Sequence, residues 1–313
     1  MDESFSWRDG ERLIRFGEGT AAGAPELIAQ AGLHGYTLLT TERALGSAPF
    51  LEADAERVVH VPAGKVDELS AALLEEGVDE RPLVALGGGR VVDTAKALAG
   101  ALDQRCAALP TTLSGAEMTP FHRLPKGRAG ARMVRPALVV ADPALTASQP
   151  PMALAASALN ALGHAVEALY TPLANPVAEL AALRAAELIA GGVPQDPPDR
   201  QALALAAVLA GYASGTTGIA VHHAVCQTIV RSAGTPHAET NAVMLPYTLR
   251  LMALRAPGEI GALAQALGDS TGDPDAAAGR ASKLSGRSGH TRLSSLGVAE
   301  AQLPQIAAVA RGH

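Results

Sequence analysis

Along the first half of the chain, short apolar runs alternate with longer stretches in which apolar residues recur every three or four positions. Tyr36–Thr41 (YTLLTT), Arg57–Pro62 (RVVHVP), Pro82–Gly89 (PLVALGGG), Cys106–Pro110 (CAALP) and Ala137–Pro143 (ALVVADP) read as strands. KVDELSAALLEEG and VVDTAKALAGAL, lying between them, read as helices. This alternation predicts an α/β fold with a Rossmann-like parallel sheet covered on both faces. After Pro150 the strands stop, and three long Ala-rich helical stretches follow, two of them joined by a Pro-rich loop over Gly191–Arg200. Nearer the end, GDSTGDPDAAAG and KLSGRSGHTR read as surface loops. The predicted division is a nucleotide-binding α/β domain over 1–150 and an all-helical catalytic domain over 151–313. The site is expected in the cleft between them.

Composition narrows this picture. A chain of 313 residues with 48% apolar but only 3% aromatic residues must pack its cores with Ala, Leu and Val. The net charge of −6 comes from dispersed acids, which argues against a nucleic-acid surface while leaving room for a local cationic pocket. Cys106 and Cys226 both sit in apolar runs, as reduced thiols of a cytoplasmic protein would. The N-terminus lacks an apolar signal core and no uninterrupted apolar stretch is long enough to span a bilayer, so no membrane association is expected.

Two regions carry candidate chemistry. In VALGGGRVVDTAK a strand runs through Gly87, Gly88 and Gly89 straight into a helix, whose first amides and positive dipole end suit a pyrophosphate. Arg90 either adds a phosphate contact or folds over this cradle. The segment LPTTLSGAEMTP offers Thr111, Thr112, Ser114 and Thr119 at another strand end. Glu42, just past the first of these strands, stands where an acid accepts the 2′-hydroxyl of an adenosine ribose. The second region is SALNALGHAVEALY, where Asn160, His164 and Glu167 stack on one face of an otherwise apolar helix. Further on come His222, His223, His237 and Glu239. His164, His223 and His237, with Asn160 as a neutral oxygen donor, would suit Zn or Fe. Without a metal they would serve as proton donors and oxyanion stabilisers.

Taken together, ALGGGRVVDTAK, PTTLSGAEMTP, ALNALGHAVEALY and HHAVCQ followed by TPHAETNAVMLP resemble the iron-containing alcohol dehydrogenase family, and within it the maleylacetate reductases. The resemblance runs in order over roughly residues 12–250. It implies a dehydroquinate synthase-like fold: an N-terminal NAD(P)-binding α/β domain followed by a helical domain. Gly88 and Gly89 would face the pyrophosphate of NADH or NADPH, and Thr111, Thr112 and Thr119 would line the cofactor cleft. Glu42 favours NADH, because an acid there repels a 2′-phosphate. The family's metal ligands, one Asp and three His, fall on Asn160, His164, His223 and His237.

Several departures shape the expectation. Asn160 replaces the ligating acid, which points to the maleylacetate reductase branch, treated as metal-independent. Gln227 stands where the family usually has a histidine near the nicotinamide, and Arg90 where it usually has Ser. The chain ends at AAVARGH, short of the family's final helices, which would leave part of the cleft open. The expected activity is NAD(P)H-dependent reduction of a maleylacetate-like enone or carbonyl acid, an anionic small molecule, by a homodimer without Fe or Zn. The basic segment Phe121–Arg135, including Lys126, together with Arg231, would capture the anion, or the segment is a solvated loop. Two other readings stand beside this one. A metal-dependent alcohol dehydrogenase would hold its ion on His164, His223 and His237. A member that has lost redox chemistry would act as a lyase, a cyclase or a binding protein.

Overall fold

Among the described residues, seven strands form one sheet: β1 (Phe5–Asp9), β2 (Arg12–Phe16), β3 (Thr37–Thr40), β4 (Arg57–His60), β5 (Leu83–Gly87), β6 (Cys106–Pro110) and β7 (Leu138–Ala141). Their spatial order is β1-β2-β7-β6-β5-β3-β4. This computed structural model describes residues 4–78, 80–128 and 130–311, and the chain divides into two compact units after Ser148. The five predicted strands are all present in the first unit, trimmed at their ends except for β6.

The N-terminal pair adds two strands that the five parallel ones did not include. β1 runs antiparallel to β2 as a hairpin at the edge of the sheet, and β2 pairs parallel with β7. Four helices accompany the strands: α1 (Ala24–Gln30), α2 (Glu42–Leu45), α3 (Val66–Glu75) and α4 (Gly89–Leu102).

The central strands are buried on both faces, and alternate residues feed two separate cores, as the pleat dictates. Leu38, Val84, Leu86, Ala107, Leu109 and Val140 pack with Ile28, Tyr36 and Leu51 on one side. On the other, Leu39, Leu83, Ala85, Cys106 and Ala108 meet Leu73 of α3 and Val91, Ala95 and Leu98 of α4. From β3 the chain moves outward to β4, then returns to the other side of β3 as β5 and continues to β6 and β7. The topological switch point therefore lies between β3 and β5, and in open α/β sheets ligands bind at the carboxyl ends of the strands there.

The second unit contains α5 (Pro151–Ala168), α6 (Pro176–Gly192), α7 (Arg200–Thr217), α8 (Val221–Ala233), α9 (His237–Ala253), α10 (Pro257–Ala266), α11 (Pro274–Ser285) and α12 (Leu303–Ala310). Pro151 occupies the first turn of α5, where its missing N–H removes nothing from the helix. Asn175 and Asp199 cap α6 and α7, each side chain accepting from a first-turn amide at 3.0 Å. Helix α11 is a correction, because it covers sequence read as loops: Ala277, Ala278, Ala281 and Leu284 bury one of its faces. No single helix among the described residues is long and apolar enough to cross a membrane.

Candidate functional site

At the switch point the glycine turn leaves β5 and starts α4, with Gly88 as the N-cap and no side chain capping it. The first amides of a helix have no intrahelical acceptor, so this end presents open N–H donors. None of the three glycines has a positive φ; their requirement is space. A Cβ on Gly87 would lie 2.7 Å from the Val91 side chain, and Cβ atoms on Gly88 and Gly89 would lie 3.0 Å from Thr112 and Ser114. The turn thus nests against the segment following β6, and the Thr111 amide donates to the Gly87 carbonyl at 3.0 Å. Thr111 and Thr119 are buried, Thr112 is half-buried and Arg90 is exposed. Glu42 opens α2 at the end of β3, exposed, on the other side of the switch point.

Two members of the basic segment have partners along and beside α4. The Arg132 amide donates to the Gly100 carbonyl at 3.2 Å, and the Arg132 guanidinium pairs with Asp103 at 2.7 Å. Both partners belong to the C-terminal end of α4, about 20 Å along the helix from Gly89. Lys126 is tied through its backbone N–H to Asp67 of α3 at 3.0 Å. Ala129 lies outside the described residues.

In the second unit, α5 presents Asn160, His164 and Glu167 on one stripe, and α8 presents His222 and His223. Gly163 allows the two helices to meet, since a Cβ there would stand 2.7 Å from ring atoms of His222. His164 and His223 stack with ring centroids 4.0 Å apart and planes 19° from parallel, while His222 meets His223 edge-on at 5.2 Å.

Each of these three rings has a hydrogen-bond partner at Nδ1. Glu167, wholly buried, takes the His223 backbone N–H on Oε1 at 3.1 Å and faces His223 Nδ1 with Oε2 at 2.7 Å. A carboxylate only accepts, so the proton is assigned to Nδ1 and Nε2 is left with a lone pair. That Nε2, like Oδ1 of Asn160, is buried without a hydrogen-bond partner. His164 Nδ1 lies 3.2 Å from Ser214 Oγ, which also reaches the Gly218 carbonyl at 3.5 Å. When Ser214 donates to Nδ1, the His164 proton sits on Nε2. His222 Nδ1 engages Thr248 Oγ1 at 3.0 Å.

Burial holds His164 well below the ordinary imidazole range, and His222 is pulled down to about 3 by the same cause. His237 differs from this trio. It is exposed in the first turn of α9, with Asn241 Nδ2 at 3.3 Å from its Nε2; burial first, and the proximity of His237 second, pull His223 down to about 3. Of the residues expected from sequence, Asn160 and His223 are buried and His164 is half-buried against His223, and His237 acts on the two rings electrostatically. Gln227 sits one turn beyond His223 on α8 and accepts from Arg231 at 3.2 Å. Glu167, Ser214, His222 and Thr248 complete the cluster. Glu167 was visible in the stripe of α5, whereas nothing in GYASG or PYTLR singles out Ser214 or Thr248.

At Asn160, His164, His223 and His237 a metal would meet an amide and three imidazoles, with no carboxylate among them. Among the described residues no three His, Cys, Asp or Glu side chains are grouped so as to hold an ion. Asn160 adds no charge.

Comparison with known proteins agrees with this picture on both units. Residues 12–143 match the family described as iron-containing alcohol dehydrogenase, and residues 154–312 match the C-terminal part of the Fe-containing alcohol dehydrogenase family. Maleylacetate reductase 1 of Rhodococcus opacus is 37% identical over 262 residues, covering 80% of this chain and 72% of its own. The crystal structure of maleylacetate reductase from Rhizobium sp. strain MTP-10005 superposes with a TM-score of 0.84 at 30% identity, covering 100% of this chain and 93% of that one. Sulfoacetaldehyde reductase from Bifidobacterium kashiwanohense, solved in complex with NAD+, gives 0.79 at 25% identity over 98% of this chain and 92% of its own.

Proposed function

The chain belongs to the iron-containing alcohol dehydrogenase family and is an oxidoreductase, and we propose that it reduces a maleylacetate-like enone or carbonyl acid with NADH or NADPH. The observation that carries this reading is the stacked imidazole pair, His164 beside His223, whose Nε2 is buried and bare.

The glycine turn fits a dinucleotide. Its helix start is uncapped, and Gly88 and Gly89 leave no room for side chains. Gly88, Gly89 and the first amides of α4 would take the pyrophosphate, Thr111, Thr112 and Thr119 would line the cofactor, and Glu42 would take the ribose hydroxyls. A reduced nicotinamide, when bound, supplies the hydride. The protein's own residues do the rest. Neutral His164, held below its usual range, hydrogen-bonds the substrate carbonyl oxygen through Nε2–H as negative charge develops there. Asn160 and His223 Nε2 orient the acceptor. His237, open to solvent, returns the proton that completes reduction. Gln227 and Arg231, one and two turns beyond His223 on α8, supply the polar end for a substrate carboxylate.

No step here runs through a metal ion. The reading includes a cytoplasmic location, supported by two buried free thiols, and a homodimer, which rests on family resemblance. Titration with NADH and with NADPH, followed by nicotinamide fluorescence, tests the proposal. Saturable binding of either is expected, and no binding up to millimolar cofactor would favour a member that has lost redox chemistry.

A further inference from the structure

Two cations are buried beneath the segment Thr111–Thr119, and the reaction outlined above uses neither. Lys96 is fully buried on α4, two turns beyond Gly89. Its ammonium donates to Asp93 at 2.8 Å, to the Ala116 carbonyl at 2.8 Å and to the Phe121 carbonyl at 2.7 Å. Every proton it has is thereby used. Arg12, at the start of β2 and also buried, donates to the carbonyls of Glu117 at 2.9 Å and Pro136 at 3.0 Å, and to Asp9 at 3.1 Å. These carbonyls belong to a stretch with no ladder of its own between β6 and β7. Buried backbone oxygens in such a stretch need donors, and here two charged side chains from different elements supply them.

The geometry points to Lys96 and Arg12 as positioning residues for the cofactor. They clamp Ala116–Phe121 from below, so that the hydroxyl-bearing segment stays seated against the glycine turn and a dinucleotide meets a preformed cradle. Lys96 is the more telling of the two, because it rides on the same helix whose first turn forms that cradle. It couples the two walls directly: Gly88 and Gly89 against Thr112 and Ser114 above, and the ammonium on Ala116 and Phe121 below. The inference rests on the reading of this unit as a dinucleotide-binding unit.

The test is Lys96→Met, which nearly keeps the volume but leaves two carbonyls without their donor. Two readouts separate this inference from the reading beneath it. Amide hydrogen exchange over residues 112–119 should speed up in the variant while exchange in β5 is unchanged. The dissociation constant for NADH should rise about tenfold, equivalent to about 1.4 kcal/mol, with turnover at saturating cofactor within about twofold of wild type. If Lys96→Met does not fold, Asp93→Asn loosens the same ammonium and should raise the constant in the same direction by a smaller factor. Unchanged exchange and unchanged NADH affinity, with only a lower melting temperature, would show Lys96 to be structural and overturn the inference. Should wild type bind neither cofactor, the dinucleotide reading fails on its own. The clamp is then judged by exchange alone, where faster exchange over 112–119 upholds it and unchanged exchange rejects it.

Discussion

Glu167 and His223 are joined twice, through the ring Nδ1 at 2.7 Å and through the backbone amide at 3.1 Å, with both side chains shut away from water. Each oxygen of the carboxylate has its own donor. The pairing fixes both the position of the ring and the nitrogen that carries its proton, which is the usual task of a carboxylate behind a working imidazole.

Glu167→Gln would break this arrangement with little change in volume. A Gln side chain has one acceptor oxygen and cannot serve both donors, so either the ring or the start of α8 loses its anchor. Turnover should fall about 10- to 100-fold, while the dissociation constant for NADH stays near the wild-type value. Steady-state kinetics beside a binding titration check this, and equal losses in both would mark Glu167 as a fold determinant only.

Gly163→Ala should destabilise the helical unit. The added methyl would stand 2.7 Å from the His222 ring, which is itself packed edge-on to His223 and bonded to Thr248. Overpacking of this kind costs about 1–3 kcal/mol, readable as a lower urea midpoint. A variant as stable as wild type would mean that α5 and α8 separate easily.

Much of this site was legible in the sequence, for reasons that also explain the gaps. The stripe Asn160–His164–Glu167 stands out because its neighbours are Ala, Leu and Gly, and the strand before Gly87 because it is continuously apolar. The hairpin β1–β2 escaped notice because FSWRD and RLIRF interleave charges with their apolar residues; the Gly10-Glu11 pair between them, with Gly10 at a φ of 59°, is the turn that joins them. Helix α11 hid because its buried face is mostly Ala, too small to give a strong period. The true seat of Arg132 could not be read, since a charge run in sequence does not say which end of a helix it will meet.

The pH dependence of stability should carry an opposing contribution from Glu117. Burial pushes its carboxyl up from 4.5 to about 7, against the pull of Lys96 and Arg12. The folded chain keeps a proton there that the unfolded chain releases, so this contribution is full below the unfolded value and lost as pH rises toward 7, about 3 kcal/mol in all. Buried His222, lowered from 6.5 to about 3, acts the other way: its contribution is full above 6.5 and lost as pH falls. Glu117→Gln removes the first and keeps the second. Its denaturation midpoint should therefore drop more steeply than that of wild type between pH 6.5 and about 5. Parallel profiles would contradict the assignment.

Metal content should be substoichiometric in protein purified with Fe or Zn in the medium, and activity should survive prolonged dialysis against chelator. Elemental analysis of the purified protein checks the first. Restoration of an acid through Asn160→Asp should raise metal retention, and stoichiometric metal in wild type would reinstate the metal-dependent reading on His164, His223 and His237.

The central claim is that a reduced nicotinamide cofactor gives its hydride to an electron-poor carbonyl acid beside the His164–His223 pair. Its most direct test mixes wild-type protein with maleylacetate and NADH or NADPH and follows loss of the reduced cofactor, alongside His223→Ala. Cofactor oxidation that needs both maleylacetate and His223 is the predicted result. A wild-type protein that leaves both cofactors reduced in the presence of maleylacetate would contradict it.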